Sequence, residues 1–164
     1  MAHVRPGREG DLAAVDAIYE HYILHTAITF DIERWSADRR RAWFERHAPS
    51  GRYRFLVAVE GDDIVGYATT SELSDKRAFE TSVEASVYLR HDMGGRGLGS
   101  ALYAALFVAI EGEDLHRAYA GITGGNPASD ALHRRFGFNP VGTYTETGRK
   151  MGRYWDVTWW EKHL

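Results

Sequence analysis

The fold is decided by the stretch Met93-Gly94-Gly95-Arg96-Gly97-Leu98-Gly99-Ser100, which lies between a predicted strand and a predicted helix. Glycines let backbone amides approach an anion closely, and the N-terminus of the following helix adds a partial positive charge. Arg96 adds a full charge that can pair with phosphate. The stretch is not a Walker loop, since no Lys precedes Ser100, and it lacks a complete dinucleotide fingerprint. It therefore predicts a phosphate-binding loop, with a flexible turn as the alternative.

The segments on either side of this glycine loop have different periodicities. Before it, Val83–Leu89 alternates apolar residues with Glu84, Ser86 and Tyr88, which predicts a strand with two chemically distinct faces. After it, Leu98–Ala109 is apolar around much of a helical circumference, which favours burial against a sheet. Glu84 thus lies on the polar face of a strand, just upstream of the loop.

Periodicity and turn residues assign the rest of the chain. Ser36 can cap a helix near Arg39, and Asn126 can cap one that begins at Pro127 and is closed by Gly137. The order β-α-α-β-β-β-α-β-α-β-β predicts an α/β (α+β) layer fold with a mixed sheet. The remaining predicted helices and strands cover 12–22, 36–47, 55–59, 64–70 with a bend at Gly66, 117–122, 127–136, 138–144 and 154–160.

Composition narrows the classes of function. The chain has 164 residues, no cysteine and a formal net charge of −3. The length, without repeats or linkers, predicts one domain over residues 1–164. The charge argues against nucleic acid as a partner, and no apolar run approaches the roughly 20 residues of a membrane span. We therefore expect a cytoplasmic protein without disulfides, and no membrane or nucleic-acid partner.

The glycine loop and a second motif resemble the GNAT acetyltransferase superfamily. Its acetyl-CoA loop follows the pattern Q/R-x-x-G-x-G/A, which aligns with Gly94–Gly99, with Gly94 in place of Gln or Arg. The run 126–138, from Asn126 through His133 to Phe138, is similar to the family's cofactor-lining helix. The resemblance implies a mixed, mostly antiparallel central sheet of about seven strands flanked by about four helices.

The resemblance extends to one branch of the family, the phosphinothricin and methionine sulfone or sulfoximine N-acetyltransferases. The matching stretches are 18–22, 26–31, 83–89, 141–143 and 152–157. An acetyl-CoA-dependent N-acetyltransferase that acts on the α-amine of a small amino-acid-like molecule is implied. The implied cofactor-binding residues are Val87, Tyr88, Leu89, Gly95, Arg96, Gly97, Leu98, Gly99, Ser100, Asn126 and Ser129.

Two residues are candidates for catalysis. An acceptor amine with a pKa of about 8 or above is mostly protonated at neutral pH and needs a base before it can attack. The resemblance places Glu84 beside that amine, which makes it the candidate general base; otherwise an exposed strand carboxylate is the simpler interpretation. His133 stands where many family members carry a Tyr that protonates the leaving thiolate, and a packing role is the alternative. Tyr103 is assigned to the core.

The substrate-binding residues implied by the branch lie in three separate stretches. Lys76 or Arg77 would hold the acceptor carboxylate, although a basic pair in a polar loop is usually only solvated. The other predicted pocket walls are Tyr22, Thr29, Phe30, Phe79 and Trp155.

Several alternatives stay open at this point. The acceptor could be another amine, such as a polyamine, a protein N-terminus or an aminoglycoside, or the protein could be a non-catalytic CoA-binding sensor. His21 and His25 have the i, i+4 spacing of metal ligands, but no third ligand is evident, so we expect no metal. The branch resemblance implies a homodimer, and the aromatic residues of the last strand suit an interface.

Overall fold

The computed structural model describes all 164 residues. The helices are α1 (Leu12–His25), α2 (Ala37–Glu45), α3 (Leu98–Ala109) and α4 (Pro127–Arg135). The strands are β1 (His3–Pro6), β2 (Phe55–Glu60), β3 (Asp63–Glu72), β4 (Ser82–Leu89), β5 (Arg117–Thr123), β6 (Asn139–Lys150) and β7 (Arg153–His163). They form one sheet in the order β1-β2-β3-β4-β5-β7-β6, in which only β4 and β5 are parallel. The predicted mixed sheet of seven strands with four helices is confirmed.

The helix boundaries follow the capping residues in the sequence. Ser36 Oγ accepts a hydrogen bond from Arg39 N at 3.1 Å, and Asn126 Oδ1 accepts one from Ser129 N at 3.2 Å. Each cap satisfies a first-turn amide that has no partner inside the helix. Gly137 has φ 80° after the end of α4, a left-handed conformation that glycine adopts without strain.

The helices pack on opposite faces of the sheet and enclose two apolar cores. Leu102 and Leu106 of α3 are fully buried among small strand residues such as Ala85, and α4 lies on this same face. Val15 of α1 packs with Val57 on the other face, where α2 also lies. The alternation along β4 therefore directs Val83 and Ala85 toward α3, whereas Glu84 and Tyr88 share the face of α1.

Strands β4 and β5 separate in the middle of the sheet. Only Ser82, Val83 and Glu84 of β4 pair with β5, whereas β3 pairs with β4 from Val83 to Leu89. Beyond Glu84 one edge of β4 therefore has no strand partner. A gap opens between the two parallel strands, and it leads toward the glycine loop that follows β4.

The last two strands are longer than the sequence indicated. The apolar alternation predicts 138–144 and 154–160, but the hairpin extends to a turn at Met151 and Gly152. A bulge between Tyr144 and Gly148 interrupts the period, and the backbone amide of Glu146 bonds to Asp156 Oδ1 at 2.7 Å. The expected bend at Gly66 is observed as a register shift between β2 and β3. None of the helices has the length and apolar character that a membrane crossing requires.

Candidate active site

A cavity of about 670 Å³ occupies the gap between β4 and β5. Its walls come from the second half of β4, the end of β5, the glycine loop and one side of α4. All but one of the predicted cofactor-binding residues line it: Val87, Tyr88, Leu89, Gly95, Gly97, Leu98, Gly99, Ser100, Asn126 and Ser129. Two sequence motifs, the glycine loop and the run that begins at Asn126, thus converge on one cleft.

The glycine loop presents backbone amides to this cavity. Gly95 and Gly97 have φ values of 74° and 78°, so both adopt the left-handed conformation that β-branched or bulky residues avoid. Gly97 is the N-cap of α3 and provides no side chain to bond the first-turn amides. Those amides stay available to a bound anion, as at other helix N-termini that bind phosphate. The geometry fits the diphosphate of a coenzyme.

The structure does not place the Arg96 side chain in the cavity. Its guanidinium forms a two-pronged ion pair with Glu60, at 2.7 and 3.1 Å, on the outer side of the loop. Arg135 at the end of α4 lines the cavity instead, and it donates to Ser100 Oγ at 3.3 Å without pairing with a carboxylate. Arg90 also lines the cavity, but Asp92 holds its Nε at 2.7 Å. Arg135 is therefore the guanidinium in the cavity wall that no carboxylate neutralises.

His133 lies inside the cavity wall with both ring nitrogens engaged. Nδ1 lies 2.8 Å from the carbonyl oxygen of Ser129, so it carries the proton and donates it there. Nε2 then accepts from the hydroxyl of Tyr103 at 2.9 Å. Burial lowers the pKa of His133, which favours this neutral form. Tyr103 is fully buried in the core, as predicted, and it also lines the cavity.

Glu84 lies at the point where β4 and β5 separate. Its carboxylate is partly buried and forms no hydrogen bond or ion pair within the chain, and desolvation raises its pKa. Tyr88 stands four residues further along the same face, and it lines the cavity. The Glu84 side chain does not line the cavity, which lies mostly on the other side of the sheet. The carboxylate is thus unpartnered and lies beside the narrow end of the gap.

Three of the predicted substrate-binding residues come together on the face of α1. The Thr29 hydroxyl lies 2.7 Å from the Tyr19 hydroxyl, and the Phe30 ring lies on Gly148 of the β6–β7 hairpin. Trp155 donates its indole N–H to the Lys150 carbonyl at 2.9 Å. The connection between α1 and α2 and the tip of the hairpin therefore form one wall.

The other three predicted substrate-binding residues lie apart from this wall. Lys76, Arg77 and Phe79 lie in the exposed connection between β3 and β4, and the two basic side chains form no ion pair or hydrogen bond. None of the three lines the cavity. Because the connection leads into Ser82, it enters β4 at the end that carries Glu84.

The chain is similar to known proteins over nearly its whole length. A model described as the acetyltransferase (GNAT) domain matches residues 4–159. A phosphinothricin N-acetyltransferase of Streptomyces coelicolor is 54% identical over 98% of this chain and 95% of its own length. The chain belongs to the GNAT acetyltransferase family.

Two further relatives of this acetyltransferase show to which branch of the family it is similar. An L-methionine sulfoximine/L-methionine sulfone acetyltransferase of Pseudomonas aeruginosa is 35% identical over 99% of this chain and 95% of its own. A Sinorhizobium meliloti phosphinothricin acetyltransferase, solved in complex with acetyl-CoA, superposes with a TM-score of 0.92 at 29% identity. That superposition covers 99% of this chain and 88% of the other. The predictions of an acyltransferase and of this branch are confirmed.

Sequence reasoning missed three groups that the structure brings to the site. Arg135 meets the glycine loop only because α4 packs beside the start of α3. Tyr103 meets His133 across the same pair of helices, and Lys150 reaches the α1–α2 connection from β6. No local pattern marks these residues. As for metals, no group of three or more His, Asp or Glu side chains is arranged to hold an ion.

Proposed function

We propose that this acetyltransferase transfers the acetyl group of acetyl-CoA to the α-amine of a small amino-acid-like acceptor of the phosphinothricin, methionine sulfone or methionine sulfoximine type. The observation that carries the proposal is the unpartnered, partly buried carboxylate of Glu84 where β4 and β5 separate. The names of the relatives support the acceptor class, since two of them describe acetylation of such amino-acid analogues.

The chain's own groups suit the binding of acetyl-CoA, which supplies the acetyl group as a thioester. The first-turn amides of α3 and the Arg135 guanidinium would hold the diphosphate. The free edge of β4, from Val87 to Leu89, offers main-chain groups to the amides of the pantetheine arm. A β4 amide near Val87 would stabilise negative charge on the thioester oxygen as the amine attacks.

Glu84 would act as the general base. The carboxylate takes a proton from the acceptor ammonium, directly or through one water, and so frees the nitrogen lone pair for attack. Desolvation raises the pKa of Glu84, which brings it closer to that of the amine and makes proton transfer less unfavourable. The absence of an ion-pair partner leaves the carboxylate free for this role.

His133 and Tyr103 would together return a proton to the departing sulfur. Because Nδ1 of His133 is held by a carbonyl, the exchangeable proton of the pair lies between Nε2 and the Tyr103 oxygen. His133 first takes up a proton from solvent at Nε2; the imidazolium then donates it to Tyr103, and Tyr103 gives its own hydroxyl proton to the departing thiolate, which leaves His133 neutral. His133 alone cannot donate in its neutral form. The proposed acid is therefore the pair.

The acceptor would lie between two elements. Thr29, Phe30 and Trp155 form the wall described above, and Phe79 would close the opposite side. Lys76 or Arg77 would bind the acceptor carboxylate, because both are exposed cations without a carboxylate partner at the entrance of β4. A site that pairs one carboxylate with one cation favours zwitterions over polycationic amines.

We also propose that the protein is a homodimer. Strand β6 pairs only with β7, so its outer edge offers unpaired backbone groups. Val141 and Tyr144 on this strand are more than half exposed, as is Tyr154 on the neighbouring strand. Light scattering would give twice the 18.5 kDa chain mass, and a value for the single chain would contradict the dimer.

The experiment that tests the function compares Glu84→Gln with Glu80→Gln on a panel of acceptors. The release of free CoA thiol is measured with phosphinothricin, methionine sulfone, methionine sulfoximine and a polyamine. We expect Glu84→Gln to lower kcat by about 100-fold or more, without weakening the binding of acetyl-CoA. The exposed Glu80, four residues upstream, is the matched control and should leave kcat unchanged.

Two outcomes would contradict the proposal. If the wild-type protein acetylates the polyamine and none of the amino acids, the acceptor class is wrong. If Glu84→Gln turns over at the wild-type rate under single-turnover conditions, Glu84 is not the base.

A further inference from the structure

Lys150 is a buried lysine for which the proposed reaction has no role. It is the last residue of β6 and only 7% exposed, yet no carboxylate pairs with its ammonium. Its Nζ instead donates to the main-chain carbonyls of Thr29, at 2.7 Å, and Tyr22, at 3.3 Å. A buried charge is costly unless its donors are satisfied, so two carbonyls in place of a carboxylate require an explanation.

The two carbonyls lie at the two ends of one short segment. Tyr22 is in the last turn of α1, where the helix dipole favours a cation. Its carbonyl has no helical amide donor and also accepts from the Thr26 hydroxyl at 2.9 Å. Thr29 is seven residues after Tyr22, next to Phe30 in the predicted acceptor wall. One ammonium thus spans the segment and holds it against the hairpin, from a position more than 120 residues away in sequence.

Two further contacts show that the hairpin tip and the segment fit together. The Phe30 ring lies directly over Gly148, where any Cβ atom would overlap it. The carbonyl of Lys150 accepts the indole N–H of Trp155, so the wall residue on the hairpin is tied to the same lysine. Lys150 therefore bonds to two of the three wall residues, to Thr29 through its side chain and to Trp155 through its main chain, while the third, Phe30, packs two residues away on Gly148. No hydrogen bond links Lys150 to the glycine loop or to α4.

We propose that Lys150 is a positioning residue that holds the acceptor wall in place, so that acceptor binding depends on it and acetyl-CoA binding does not. The inference rests on the proposed function for the identity of the acceptor. The physical basis is separate: removal of the ammonium leaves the buried Thr29 carbonyl without a donor, leaves the Tyr22 carbonyl with only the Thr26 hydroxyl, and removes both bonds from Lys150 Nζ to the segment. The lowered pKa of Lys150, caused by burial, fits its enclosed position.

The test compares Lys150→Met and Lys150→Arg with the wild type in two measurements. In steady-state kinetics, we expect Lys150→Met to raise KM for the acceptor about tenfold or more, with KM for acetyl-CoA unchanged. Lys150→Arg should recover much of the affinity, because a guanidinium can also donate to two carbonyls. In amide hydrogen exchange, Lys150→Met should exchange faster over residues 26–31, with α3 and α4 unaffected.

Lys162→Met is the matched control. This lysine lies on β7, with its Nζ 5.4 Å from the Phe107 ring on the opposite face of the sheet, and its loss should change neither KM. The proposal is overturned if Lys150→Met leaves the acceptor KM unchanged, or if both KM values rise together. If the wild-type protein acetylates no amino acid, the proposed function fails. The role of Lys150 is then tested by amide hydrogen exchange only. Unchanged exchange over 26–31 would then overturn the role of Lys150.

Discussion

Removal of Arg135 should weaken acetyl-CoA binding far more than removal of Arg96. Both arginines belong to the phosphate-binding region, but Arg96 is already paired with Glu60 at two distances near 3 Å, whereas Arg135 faces the cavity without a carboxylate. An anion must compete with Glu60 for the first guanidinium and meets no competitor for the second. The two alanine variants therefore separate a structural ion pair from a ligand contact.

The structure sets the size of the expected effect. A hydrogen bond between a charged donor and its acceptor contributes about 1.5–3 kcal/mol, and the exposure of Arg135 puts this contact at the lower end. Since about 1.4 kcal/mol is a factor of ten in Kd, Arg135→Ala should weaken acetyl-CoA binding about tenfold. Arg96→Ala removes an exposed ion pair worth about 0.2–1 kcal/mol to folding and should leave Kd nearly unchanged.

Isothermal titration calorimetry with acetyl-CoA and with pantetheine measures the difference in Kd between the two variants. The loss in Arg135→Ala should disappear with pantetheine, which has no diphosphate, and it should shrink as salt screens the charge. Melting temperatures of both variants control for unfolding. If Arg96→Ala weakens acetyl-CoA binding as much as Arg135→Ala does, the assignment from the cavity geometry is refuted.

Three further outcomes are expected. Gly148→Ala should raise the acceptor KM in steady-state assays, because its Cβ displaces the Phe30 ring, whereas Gly142→Ala, with open space around it, should not. Tyr103→Phe should lower kcat by about 100-fold in single-turnover assays, and equal rates would remove the hydroxyl from the mechanism. Values of kcat/KM for the acceptor, measured against pH, should rise through the raised pKa of Glu84, because only the ionised carboxylate accepts a proton; a flat profile would contradict this.

Local rules predicted the fold well because the decisive signals lie within short windows. The caps at Ser36 and Asn126 were identified from single residues and are observed as hydrogen bonds. The alternation in β4 correctly placed Glu84 on the face opposite Val83. The end of β6 was missed because a bulge interrupts the two-residue period, and a bulge depends on the partner strand as much as on its own sequence.

The ion-pair partners of the charged residues at the site were harder to predict, because such a partner depends on which distant residue lies adjacent in the folded protein. Arg96 lies within the glycine loop, which made it the obvious cation for phosphate, but Glu60 is 36 residues away in sequence and adjacent in space. Lys76 and Arg77 were inferred from position in the branch, and the structure leaves them exposed at the start of β4. Nothing in the local sequence distinguishes these outcomes.

The sequence by itself determined the layer fold, the glycine loop between β4 and α3, and the face of β4 that carries Glu84, because turns, caps and periodicities depend on backbone conformation over a few residues. Only the tertiary structure decided which cations lack a carboxylate partner, that His133 bonds to Tyr103, and that Lys150 bonds to the carbonyl of Thr29. These properties depend on burial and on contacts between distant segments. Burial sets both the energy of a charge and the partners it can reach, and it exists only once the sheet and its helices have packed.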